Sequence, residues 1–226
     1  MEKGKRGVFA WIWFVMWRFL LLLILFLLLL RFVPLSTTAF MLQSPYPVTQ
    51  QWINIDKLPT HVPMAMVASE DQRFPEHFGV DLNAISKALN QSDDGDALRG
   101  ASTITQQTAK NLLLWPGRSF VRKGLEAGLA VSLEIIWGKK RILEVYLNVA
   151  EFGKGIYGIE AASQHYFHKS ASVLTTNEAA QLAVLLPSPR KRDPRNLSPY
   201  LRQRVLWVER QMRQLGSDYL KPILEN

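Results

Sequence analysis

VPMAMVASEDQRFPEHFG, residues Val62–Gly79, places seven residues of nearly unbroken apolar character in front of two adjacent carboxylates. Val62–Ala68 reads as a buried helix, with Pro63 in the first turn, where its missing N–H costs nothing and its fixed φ suits the helix. Such a helix carries Glu70 and Asp71 out at its far end, and Pro75 is expected to stop it. Acids are poor company for a helix C-terminus, because the macrodipole there prefers cations. Helix stability is therefore not the reason for them. Taken alone, the pair reads as solvated acids, or as one acid paired with Arg73, an arrangement of little energetic weight.

Working outward, 226 residues leave room for a membrane anchor and one globular domain with a sizeable core. A net charge of +8 and a pI near 9.8 point to an anionic partner: nucleic acid, a phosphorylated substrate or an acidic membrane surface. The chain has no cysteine, which removes disulfide, thiolate-metal and cysteine-nucleophile chemistry and fits any redox compartment. Residues 8–33, VFAWIWFVMWRFLLLLILFLLLLRFV, are long and apolar enough for a transmembrane helix, which takes roughly 20 residues. The following RFVPLSTTAF offers no good A-x-A-like cleavage site. Trp11, Trp13 and Trp17 cluster toward one end as an interfacial belt, and Arg18 can snorkel. Lys3, Lys5 and Arg6 lie in the tail 1–7, so the positive-inside rule keeps the N-terminus cytoplasmic and sends the rest of the chain outside. That topology argues against nucleic acid as the partner.

Residues 34–60, with SPYPV inside, read as a linker or an extended segment entering the domain 61–226. Helical signals follow one another from there. Asp81 caps a helix through about Asn90; SDDGD (Ser92–Asp96) reads as a mobile loop; Thr103 with Gln106 forms a capping box for a helix to Leu114; WPG breaks the chain. Val121, Leu125, Leu129, Leu133 and Ile136 recur about every four residues and predict a long helix with one buried stripe, ended by Gly138. Ile142–Val149 forms another helix, a glycine-rich FGKGIYG follows, and Thr175 with Glu178 makes a second capping box. Ser198, Pro199 and Gly216 bracket the last helix. No run of alternating strands is visible, so the domain is mainly α.

Two further stretches carry polar chemistry. GASTITQQTAKN (Gly100–Asn111) puts Gln106, Gln107 and Lys110 within about one turn, with the hydroxyls of Ser102 and Thr103 at the helix start. A capped surface helix explains this, but the same donors also suit sugar hydroxyls and phosphate oxygens. In RSFVRKGLEA, Lys123 and Glu126 make an i,i+3 pair worth a few tenths of a kcal/mol, while Arg122 and Glu126 share a face. KRILEVYLNVAEFG (Lys140–Gly153) and NEAAQLAVLLPSP (Asn177–Pro189) read as scaffold, with Tyr146 and Asn148 satisfying backbone groups.

In order and spacing these stretches resemble the five motifs of the peptidoglycan glycosyltransferases, glycosyltransferase family 51, over about Pro59 to Pro189. The matches are ED-x-x-F-x-x-H-x-G at Glu70–Gly79, G-x-ST-x-x-QQ-x-x-KN at Gly100–Asn111, RK-x-x-E at Arg122–Glu126, K-x-x-x-E-x-YLN at Lys140–Asn148 with FG at Phe152–Gly153, and the NEAA-x-LA helix. With little chain after the last motif for a penicillin-binding transpeptidase domain, the sequence is expected to be a monofunctional member. The resemblance implies a lysozyme-like, mainly α domain with a smaller membrane-proximal lobe. It would polymerise lipid II on the outer face of the cytoplasmic membrane into β-1,4 glycan, with inversion and release of undecaprenyl pyrophosphate.

By the same resemblance the catalytic residues would be Glu70 as general base, Asp71 as orienting acid and Glu126 as second essential acid. Substrate would be held by Ser102, Thr103, Gln106, Gln107, Lys110, Asn111, Arg118, Arg122 and Lys123. No cofactor is required; the resemblance allows Mg²⁺ or Mn²⁺, and the sequence shows no independent ligand cluster. Implied partners are lipid II, the growing lipid-linked glycan, the membrane and proteins of cell-wall synthesis or division. Two rival expectations are a lysozyme-like lytic enzyme and a non-catalytic membrane-anchored scaffold. The residue inventory favours transfer. A glycosidase needs two working carboxylates, one to protonate the leaving oxygen, whereas a pyrophosphate leaves without a proton and needs cations.

Overall fold

The computed structural model describes residues 2–90, 102–117 and 119–225. The loop expected at Ser92–Asp96 and the candidate Arg118 lie outside them. The chain divides into two units, residues 1–34 and 35–226.

The first unit is helix α1, Glu2–Leu30. Within it Phe9–Leu30, 22 residues, is long and apolar enough to cross a membrane. At about 1.5 Å per residue this stretch reaches the roughly 30 Å of a hydrocarbon core. The apolar stretch therefore falls slightly inside the expected span 8–33, and Arg31 sits past the last turn of the helix. Trp13 and Trp17 meet edge to face at 5.6 Å. The guanidinium of Arg18 lies 3.6 Å from the Phe14 ring centre, which shields its charge along the span.

The second unit is mainly α, as the sequence indicates, and is built around α3, His61–Glu70. Every residue from Val62 to Ala68 is buried, so this helix is apolar on all sides and packs against α8 (Thr176–Ala183) and α9 (Pro199–Leu215). It ends at Glu70, with Asp71 as C-cap, and Pro75 lies in the turn beyond rather than at the stop. A second packing pair joins α5 (Ile104–Leu113) to α6 (Phe120–Val149). α4 (Leu82–Asn90) precedes them, with the Asp81 carboxylate accepting the Ala84 N–H at 2.9 Å. Both capping boxes form as their spacing predicts, at Thr103/Gln106 and at Thr175/Glu178.

α6 corrects the expected stripe. Val121 is 73% exposed and Leu125 48%, while Arg122, Glu126, Ala130, Leu133 and Trp137 face inward. The repeat is real but its apolar side at this end is not the protein side. The inward side holds the charges of the candidate site, and Phe120, Val121, Leu125, Val131 and Ile135 form an apolar face turned away from the core. Gly138 breaks the helix as expected: its φ of 74° and ψ of 168° are non-helical, so α6 is two helical pieces joined at a kink.

From Leu35 on, the segment 34–60, read as a linker or an extended segment entering the domain, belongs to the second unit. It carries α2 (Ala39–Leu42), β1 (Thr49–Gln50) and a 3₁₀ turn at Ile55–Lys57. β1 pairs in parallel with β3 (Ile156–Tyr157), which pairs antiparallel with β2 (Glu151–Gly153), in the order β1-β3-β2. Asn148 clamps this segment. Fully buried, it accepts the Ile53 N–H at 2.8 Å and donates to the Ile53 carbonyl at 2.9 Å, while its own backbone carbonyl accepts Gln50 Nε2 at 3.2 Å. α7 (Ile159–Phe167) and a short α10 (Lys221–Leu224) complete the domain, so the helix bracketed by Ser198 and Gly216, α9, is not the last.

Candidate active site

Glu70 closes α3 and is the half-buried acid of a pocket of ≈ 220 Å³, bordered also by Asp71, Gln72, Arg73, Ser102 and Thr103. Burial pushes its carboxyl above the ordinary carboxylate range. The Gln107 amide, the more distant charges of Arg204 and Arg192, and the Ser69 hydroxyl offset part of that effect. Gln107 Nε2 donates to Glu70 Oε2 at 3.1 Å. The same amide accepts from the Tyr146 hydroxyl at 3.4 Å, which turns its NH₂ end toward the acid. Tyr146 is fully buried, and burial together with the charges of Glu70 and Asp71 holds its hydroxyl well above its usual range, so it remains a donor.

Asp71 has a different job. Its carboxylate accepts His77 Nε2 at 2.9 and 3.0 Å and the Ile104 N–H at 2.9 Å, which ties the end of α3 to the start of α5. Arg73 pairs with neither acid. It binds Glu76 at 2.9 Å and Asp81 at 3.1 Å, contrary to the simplest sequence reading. Glu134 adds a buried anchor that sequence reasoning passed over: it accepts the Thr105 hydroxyl and Lys139 at 2.7 Å and the Gly79 N–H at 3.1 Å. Gly79 has a φ of +78°, and a Cβ there would stand 3.0 Å from the Ala130 backbone, so only glycine lets the loop lie on α6.

The cations gather at a second carboxylate. Glu126, 2% exposed, receives Arg122 Nη1 and Lys123 Nζ, both at 2.6 Å. Lys123 also donates to the Ser102 hydroxyl at 2.7 Å. Lys110, half-buried on α5, faces the same group with its ammonium 5.3 Å from the Phe40 ring. Desolvation holds its pKa below the usual lysine value; Glu126 and Glu70 oppose that, while Arg122 and Lys123 add to it. Lys110 is thus within electrostatic reach of both carboxylates. Arg122 keeps its Nε buried without a protein partner.

Of the remaining predicted residues, Thr103 and Gln106 are buried in the capping box. Thr103 additionally donates to the Gly79 carbonyl at 2.6 Å, so their polar atoms hold the helix start. Asn111 is buried on α5, one turn beyond Gln107. Arg192 and Arg204, which act on Glu70, and Tyr146, which orients Gln107, were missed as site residues. The arginines lie far along the chain in a strongly basic stretch, and only the fold brings them near α3. The described residues contain no group of three or more His, Asp and Glu placed to hold a metal. Both Glu126 oxygens are taken by cations, so its donor set does not fit a divalent ion.

Residues 38–213 match the family model described as Transglycosylase. The chain belongs to the transglycosylase family. Proteins named biosynthetic peptidoglycan transglycosylase resemble it along its length. One from Shewanella frigidimarina is 78% identical over 226 residues, covering all of both chains. Another from a Marinomonas species is 75% identical with the same full coverage, and one from Escherichia coli K12 / DH10B is 45% identical over 96% of each chain. Among members of the transglycosylase family this chain therefore combines a lysozyme-like, mainly α domain with an N-terminal helix long enough for a membrane anchor.

Proposed function

We propose that the chain is a peptidoglycan glycosyltransferase that polymerises lipid II. The observation that carries this reading is the separation of labour in the site. One desolvated carboxylate, Glu70, has a single strong donor, and a distinct cluster of Lys110, Arg122 and Lys123 surrounds Glu126. Glu70 takes the proton from the 4-hydroxyl of the acceptor sugar as that oxygen bonds to the donor's anomeric carbon. The bond from that carbon to the α-linked pyrophosphate breaks, the pyrophosphate leaves with the electron pair, and the product is β-linked. A raised pKa suits the base, since proton transfer works best when the catalytic pKa approaches the working pH.

Cations stabilise the charge that develops on the leaving pyrophosphate. Arg122 and Lys123 are preorganised by Glu126, so little rearrangement is needed when the phosphates arrive. The apolar face of α6, Phe120, Val121, Leu125, Val131 and Ile135, supports a substrate whose lipid tail stays in the bilayer. With α1 as anchor and the basic tail 1–7 inside, the domain works on the outer face of the cytoplasmic membrane.

A lytic reading lacks its second carboxylate. Asp71 is committed to His77 and the Ile104 N–H, and Glu126 to two cations, so neither is free to protonate a leaving sugar oxygen. The test is to give the detergent-solubilised full chain labelled lipid II, and separately finished glycan, and to resolve the products by size. Polymer from the first and no cleavage of the second is the expected outcome; the reverse overturns the proposal.

A further inference from the structure

A second concavity lies apart from the Glu70 pocket. It has a volume of ≈ 340 Å³ and is bordered by β3, the end of α7 and the two 3₁₀ turns that follow α8, Pro189–Lys191 and Pro194–Asn196. Its wall carries Lys154, Arg190, Lys191, Arg192 and Arg195 against a single carboxylate, Asp193. Two of the arginines are held from two sides. Asp193 accepts Nε and Nη2 of Arg195 at 3.0 and 2.7 Å while the Tyr166 ring lies 5.3 Å beneath it. Glu151 accepts Nε of Arg190 at 2.9 and 3.0 Å, with the Tyr46 ring at 5.5 Å. Even with both acids included, positive charge is in excess, and Lys191 is exposed. Cations fixed in this way lose little freedom on meeting an anion, unlike free surface side chains.

Position narrows the choice of anion. None of the lining residues comes from α4, α5 or α6, so the pocket is separate from the cations around Glu126. None of the large apolar side chains left exposed among the described residues belongs to its wall, which disfavours a lipid surface as the occupant. Arg192 lines the pocket and is also among the charges that lower the Glu70 pKa. Guanidinium groups match carboxylates and phosphates alike, and the pyrophosphate is already assigned to the cations around Glu126, which leaves a carboxylate as the anion for this pocket.

We propose that this pocket is a second anion-binding subsite that takes a carboxylate of the peptide borne by the glycan. It thereby holds the peptide-carrying sugar beside the Glu70 pocket. The assignment rests on the proposed peptidoglycan activity, but it is tested by binding rather than by turnover, so the two can fail separately.

The experiment uses the full chain in neutral detergent and a soluble disaccharide-peptide fragment that lacks lipid and pyrophosphate. Affinity is measured for this fragment and for its carboxyl-amidated counterpart, with inorganic pyrophosphate and phosphatidylglycerol vesicles as separate arms. The native chain is expected to favour the free-carboxylate form by about tenfold, the scale of one charge-assisted contact. Lys191→Ala and Arg195→Ala should each bring that ratio toward one; the Lys191 side chain is exposed, so its variant is expected to fold, which thermal unfolding of both variants checks. Equal affinity for the two forms overturns the proposal, as does a ratio that both variants leave unchanged. Variants that lose only pyrophosphate or vesicle binding reassign the pocket to phosphate. If discrimination holds while no lipid II is polymerised, the peptide site stands and the proposed activity fails.

Discussion

Gln107 Nε2 lies 3.1 Å from Glu70 Oε2 and is the closest fixed donor to that acid, held in its orientation by the Tyr146 hydroxyl on the other end of the amide. A base with one close donor is steadied but not neutralised. That contact is the largest of the influences that oppose the burial raising the Glu70 pKa, so it helps to set how readily the acid accepts a proton.

Gln107→Ala removes the first of the influences that hold the Glu70 pKa down. The acid limb of the pH–rate profile should then move to higher pH, with turnover near neutrality falling about tenfold or more. Tyr146→Phe should cause a smaller shift in the same direction, because it frees the amide without deleting it. Initial rates of polymerisation from about pH 4 to pH 10 check both. An unchanged acid limb in Gln107→Ala would separate this residue from the base.

The native profile should be narrowed from both sides. Glu70 must be ionised to act, and its raised pKa places the acid limb above the usual carboxylate range. Lys110 must be charged to hold phosphate, and its lowered pKa places the alkaline limb below the usual lysine range. A profile flat from pH 5 to pH 10 would contradict both assignments.

Glu126 holds two cations in a nearly water-free setting. Removing one partner of a buried pair commonly costs about 3–5 kcal/mol, because the other charge stays buried. Glu126→Ala should therefore lower stability on that scale. It should also move the alkaline limb down, since Glu126 is the strongest support for a charged Lys110. Thermal unfolding and the pH profile of the variant measure the two effects independently.

Asn148→Ala deletes the clamp on Ile53 and leaves a buried N–H and carbonyl without partners, each costing about 1–3 kcal/mol. The segment around β1 should loosen before the rest of the domain does. Limited proteolysis should cut between residues 35 and 60 in the variant and spare the native chain. Equal resistance would show that β1 and its neighbours are held by other contacts.

Helices, caps and breaks were legible because each rests on short-range chemistry: Thr103 with Gln106, Thr175 with Glu178, Ser198 with Pro199 and Gly216. The stripe on α6 was misplaced for a physical reason. A period of four reveals that a helix has an apolar side but not whether protein lies against it; here Arg122 and Glu126 face inward while Val121 and Leu125 do not. Residues 34–60 read only as a linker or an extended segment because their order depends on Asn148 and Glu144, about ninety residues away. The polar residues around Glu70 and Glu126 were named from the sequence, yet their division was not. Gln106 was legible as a capping residue, but only the fold shows that its neighbour Gln107 turns to the acid.

The proposed role of Glu70 also has a cost in stability. Its folded pKa lies above the unfolded value near 4.5, so the protein is favoured below that pH and loses stability as pH rises through the folded pKa. Glu70→Gln keeps the shape and can still accept from Gln107, but it removes the buried charge. At neutral pH it should be more stable than the native chain, by on the order of 1 kcal/mol or roughly 2–4 °C. The most direct measurement is polymerisation of labelled lipid II by this variant, paired with its thermal unfolding at the same pH. Turnover lower by about 10²-fold or more in a protein at least as stable as the native one is the predicted result. Near-native turnover in that well-folded variant would contradict Glu70 as the base.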